Sequence, residues 1–64
     1  MNKLKSKLHD EHYEAQLKRN KLYNCIKTAK LSQAQLDLAR EQYDILNKYI
    51  AILTKRLNLI EENQ

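Results

Sequence analysis

Tyr13, Lys18, Arg19, Lys21 and Tyr23 crowd into the segment YEAQLKRNKLY, which places three cations between two of the chain's four tyrosines. These residue types share a chemistry. Guanidinium and ammonium groups make charge-assisted bonds to phosphate oxygens, and a phenol ring stacks on a flat base for about 1 to 3 kcal/mol. Tyr49 and Arg56 repeat the pairing two turns apart on one line of a helix. The same types also have plainer uses. Aromatics at heptad spacing, such as Tyr43 and Tyr49, usually pack; cations on an outer helix usually form a solvated face; Arg56 can pair with a carboxylate of a neighbouring subunit.

Other reactive types are present without complete sites. His9 and His12 lie three apart in HDEHYE, a spacing that puts both on one helical face, but a third fixed ligand is missing and a solvent-facing polar patch is expected. Cys25 has no histidine at a defined spacing and reads as a small buried hydrophobe. No nucleophile, base and oxyanion donors converge, so catalysis, metal and cofactor are not expected.

The elements that must position these residues are helices. Glycine and proline are absent, and Leu, Lys, Gln, Asn and Glu abound. In KLSQAQL, Ser32 can accept from the amide near Gln35 while Gln35 reaches back to Ser32, a capping box, with Leu31 and Leu36 as its hydrophobic staple. Asp37 and Glu41 favour the same helix start through its dipole. This predicts a helix over about 2–29, a turn over about 30–32 and a helix over about 33–61. Without a glycine for a left-handed cap, Lys30 or a neighbour takes a strain of about 1 kcal/mol, or the linker finds another short geometry.

Leu36, Ala39, Tyr43, Leu46, Ile50, Leu53, Leu57 and Ile60 form an a/d heptad seam. Beside it run Leu38, Ile45, Tyr49, Ile52 and Leu59, making the apolar arc wider than one antiparallel partner helix covers. The expected fold is therefore all-α: a two-helix antiparallel hairpin assembling into a homo-oligomeric helical bundle, with the second seam as the oligomer interface. The first half carries a thinner stripe of Leu4, Leu8, Ala15, Leu22, Ile26 and Ala29 and reads as the outer helix. It also carries the charge. Through Leu31 there are eight Lys or Arg against three acids, and from Ser32 onward four against five, so an oligomer multiplies the basic surface of its first helices.

A single continuous helix is the alternative, since the a positions run back from Leu36 through Ala29, Leu22, Ala15 and Leu8 to Met1 without a phase break. Its d positions would be Ser32, Cys25, Lys18, Glu11 and Leu4. That arrangement buries charge at consecutive layers, which favours the hairpin.

A chain of 64 residues buries too little for a comfortable monomer core, and one cysteine allows no internal disulfide. The lone thiol and the lack of a signal-peptide pattern point to the cytosol, and no apolar run approaches the roughly 18 residues of a membrane span.

The runs EHYEAQLKRNKLYNCI and LSQAQLDLAREQYDILNKYIAILTKRL resemble a family of very short bacteriophage proteins first named from crAss-like phages. The likeness lies in Lys21-Leu22 and Ile26, in the Leu-Ser helix start, and in Leu38, Gln42, Leu46, Tyr49, Ile52, Leu53, Arg56 and Leu57. CIKTAKLS departs from it where a longer acidic linker is expected. The resemblance implies a phage-encoded accessory protein acting in the host bacterial cytoplasm. By broad analogy it implies counter-defence: an oligomeric sponge binding a cyclic di- or trinucleotide immune signal between subunits, with Tyr13, Lys18, Arg19, Lys21, Tyr23, Tyr49 and Arg56 as candidate ligand-binding residues. Two other functions stay open. One is an inhibitor or adaptor presenting a helix face to a host immune protein. The other is a nucleic-acid-binding accessory protein, for which a net charge of +4 is modest.

Overall fold

The computed structural model describes residues 3–62 as two helices, α1 (Lys3–Thr28) and α2 (Gln33–Glu62), that pack against each other. The expected first-helix start near residue 2 lies outside the described residues. The chain therefore breaks its heptad phase in space, though not in sequence, at the four residues between the helices. Ser32 Oγ accepts from the Gln35 amide at 3.2 Å, and the first helical bond runs from the Leu36 amide to the Ser32 carbonyl at 2.9 Å. The return half of the capping box is not made. Instead Gln33 Nε2 donates to Asp37 Oδ1 at 2.9 Å, one turn along the helix.

The first helix ends without a left-handed residue: no described residue has positive φ. Its last carbonyls are tied off locally. The Ala29 amide donates to the Cys25 carbonyl at 2.9 Å, and the Thr28 hydroxyl donates to the Asn24 carbonyl at 2.7 Å. The first of these satisfies an acceptor that a glycine cap would otherwise serve, and the second adds a hydroxyl bond to a carbonyl of the last turn.

Four links across the hairpin share one register. Lys5 meets Glu61, His12 meets Thr54, Arg19 meets Asn47 and Tyr23 meets Tyr43, so residue n of α1 lies level with residue 66 − n of α2. The core is small and sits toward the open end of the hairpin. Leu8 and Ala15 from α1 pack with Ile50, Leu53 and Leu57 from α2, and Ile60 leans on them half-buried. Leu53 is fully enclosed. Nearer the turn Leu22, Ile26, Leu36, Ala39, Tyr43 and Leu46 reach only half-burial.

Two expectations need correcting. Cys25 is exposed, not buried; it falls one position off the Leu22 and Ile26 contact line and turns onto a flank that α2 leaves uncovered. Leu4 and Ala29, placed in the α1 stripe by spacing, are also exposed, because they lie at the ends of the packed length. The molecule is a rod of 48 × 15 × 13 Å. Its radius of gyration, 14.8 Å, exceeds the roughly 10.7 Å of a compact chain this long.

Candidate functional site

The two flanks of the hairpin differ in character. One is stitched by polar side chains: Lys5 Nζ to Glu61 Oε1 at 3.9 Å, His12 Nε2 with Thr54 Oγ1 at 2.9 Å, and Arg19 Nη1 donating to Asn47 Oδ1 at 3.4 Å. Arg19 Nη2 also donates to Asn20 Oδ1 at 3.5 Å. Both guanidinium bonds are long, so they hold Arg19 weakly.

Beside Arg19, one turn on, the Tyr23 and Tyr43 rings lie 5.7 Å apart at 33°. Lys27 Nζ sits 4.6 Å over the Tyr23 ring. Hydrogen bonding with Tyr23, then attraction to it, holds the Lys27 ammonium above its ordinary 10.5, so the cation stays charged. The group offers what an anionic aromatic ligand needs: a planar fork of donors, two amide side chains, two rings and a second cation.

The opposite flank is apolar on α2 and charged on α1. Tyr49 Oη donates to Glu11 Oε2 at 2.7 Å across the hairpin. That bond, then partial desolvation, then the carboxylate's charge, raises the phenol above its ordinary 10.0, against a lowering by Arg56. Next to this pair lies a depression of about 100 Å³ lined by Glu11, Glu14, Ala15, Lys18, Leu46 and Tyr49. It has room for only a few waters. A pocket for a drug-sized molecule needs about 300 Å³ or more, and two carboxylates beside one ammonium do not favour an anion.

The seven candidate ligand residues are thus divided. Lys18 and Tyr49 meet at the depression, and Arg56 lies close enough for its charge to act on Tyr49. Arg19 and Tyr23 belong to the stitched flank. Tyr13, 63% exposed, faces away from α2, and Lys21 is exposed beyond Lys18. One helical turn separates what the linear segment crowds together. Sequence reasoning missed Asn20, Lys27 and Asn47 and gave Tyr43 only a packing role. The signal for Asn47 and Tyr43 was the hairpin register, whereas Asn20 and Lys27 lie one residue from Arg19 and one helical turn from Tyr23 within α1.

The second apolar seam stays open. Leu38, Ile45, Tyr49, Ile52 and Leu59 are all exposed, although they repeat at heptad spacing along the whole of α2. Among the described residues no group of His, Cys, Asp and Glu can hold a metal ion, and no helix is long and apolar enough to cross a membrane. No curated protein and no solved structure matches the chain. A family model, Sequestin, matches residues 2–59, and the chain belongs to that family.

Proposed function

From membership of the Sequestin family, whose name denotes sequestration, we propose that the protein is an oligomeric sponge that binds and holds a cyclic di- or trinucleotide immune signal. In this reading it is a phage-encoded counter-defence protein working in the host bacterial cytoplasm by stoichiometric capture. No bond in the ligand is made or broken.

The observation that carries the reading is the group on the stitched flank, where loosely held Arg19 stands beside the Tyr23–Tyr43 pair with Lys27 over the ring. Cations for phosphates and faces for bases lie within one helical turn of each other. Isothermal titration against a panel of cyclic di- and trinucleotides tests it. At least one ligand binds saturably, and Arg19→Ala weakens it about tenfold or more, the worth of a charge-assisted phosphate contact.

The open seam favours a second reading. A helix face of this kind can seat in the groove of a host immune protein. Absence of nucleotide binding together with stoichiometric capture of one host protein, lost in Ile45→Glu, selects it.

A further inference from the structure

We infer that a second copy of the chain lies antiparallel on the open face of α2, in the register that sets Ile45 against Tyr49 of the other copy, and that the two Lys18 side chains meet in a cleft on the two-fold axis. The inference rests on the oligomeric part of the proposed function and gives it a geometry.

The area argues for a second copy. The chain exposes 5315 Å² at a mass of 7.7 kDa, whereas a compact monomer of that mass exposes roughly 4,300 Å². The excess, about 1,000 Å², is close to the roughly 800 Å² that each partner contributes to a standard interface. The excess has a natural place. The stitched flank is occupied by cross-helix bonds, whereas the seam flank presents Ile45 at 59% and Ile52 at 55% exposure.

Charge chooses the direction. A parallel pairing in register stacks Arg56 on Arg56 within the seam. An antiparallel pairing removes the Arg56 clash. Of its possible registers, the one that sets Ile45 against Tyr49 also sets Glu41 beside Lys55 of the second copy, twice by symmetry, against a single like-charge meeting of Lys48 with Lys48 at the two-fold axis. Shifting by one heptad toward the carboxyl end instead opposes Lys48 to Lys55 and Glu41 to Glu62.

The first helices give an independent check. Residue n of α1 lies level with residue 66 − n of α2, so the same register brings Glu14 within a turn of Lys21 of the second copy. That pairing neutralises one of the carboxylates on the rim of the depression. The other, Glu11, is already engaged by Tyr49. What remains at the axis is Lys18 from each copy above the two Tyr49 rings. Two half-depressions, each too small and too acidic alone, become one shared cleft with paired cations. The repulsion between the two lysines is relieved by an anion, so the anion and the second copy reinforce each other.

Cysteine pairing tests the register without reference to any nucleotide. In a Cys25→Ser background, Glu41→Cys chains mixed with Lys55→Cys chains form a mixed disulfide under mild oxidation, while Glu41→Cys alone does not cross-link to itself. Self-cross-linking of Glu41→Cys overturns the inference, as does the absence of any cross-link. The shared cleft is read by sedimentation with inorganic pyrophosphate as the probe. Pyrophosphate tightens the dimer about fivefold or more, and Lys18→Gln abolishes the tightening while still forming the mixed disulfide. A dimer indifferent to pyrophosphate refutes the cleft. Failure of cyclic nucleotides to bind, with the cross-link intact, refutes the sponge and leaves the dimer standing.

Discussion

Ile52 and Leu53 are neighbours in sequence with opposite surroundings, and truncating each to alanine separates hairpin from assembly. Leu53 is fully enclosed within the hairpin. Its loss leaves a cavity that the surrounding helices fill only in part, at a cost of about 3 to 5 kcal/mol. A 64-residue domain has roughly 3 to 10 kcal/mol of stability in all, so Leu53→Ala leaves the chain barely folded at 25 °C. Ile52 is 55% exposed in the hairpin. Less than half of its full burial, about 1.5 to 3 kcal/mol, is therefore at stake within one chain, and the higher helix propensity of alanine returns about 0.4.

In an isolated hairpin, Ile52→Ala thus costs well under 1 kcal/mol. With a second copy on the seam the side chain is buried and the cost rises to about 2 to 5 kcal/mol. Thermal denaturation followed by circular dichroism reads the difference. Each 1 kcal/mol moves the midpoint of so small a domain by about 4 to 8 °C, and an assembly makes that midpoint rise with protein concentration. Leu53→Ala lowers the midpoint at every concentration, and Ile52→Ala lowers both the midpoint and its concentration dependence. A small, concentration-independent effect of Ile52→Ala refutes the buried seam. A harmless Leu53→Ala refutes the hairpin core.

Ser32→Ala removes the oxygen that accepts from the Gln35 amide and costs about 0.5 to 2 kcal/mol; a raised melting temperature would contradict a helix start at that residue. The Tyr49 phenol, held protonated chiefly by its bond to Glu11, ionises above its ordinary 10.0. Because the folded value is raised, this contribution is whole below pH 10 and fades as pH climbs through the folded value. Absorbance titration at alkaline pH therefore shows one late phenol in the wild type that shifts to lower pH in Glu11→Gln, and unchanged titration of that variant counts against the bond.

The two helices and their meeting point were legible because the signals were local. Ser32, Leu31 and Leu36 announce a helix start within a few residues, and the charges at Lys18 and Glu11 weigh against a continuous coiled coil. The heptad line through Ile50, Leu53 and Leu57 marks the core for the same reason. What required the hairpin register was harder to read. Tyr43 and Asn47 are far from Tyr23 and Arg19 in sequence and become their neighbours only when α2 folds back. Lys18 and Arg19 look like one basic cluster in the chain, yet a step of one residue turns them onto opposite flanks. Cys25 was misplaced by the same arithmetic, since a stripe one position wide decides between contact and solvent.

On the proposed function, a small anionic nucleotide is captured at the Arg19, Tyr23, Tyr43 and Lys27 group. Isothermal titration of wild-type protein and Arg19→Ala against cyclic di- and trinucleotides, with sedimentation of each sample, tests it most directly. Saturable binding is expected, weakened about tenfold or more in Arg19→Ala at unchanged oligomeric state. An intact oligomer that binds none of these nucleotides at millimolar concentration would contradict it.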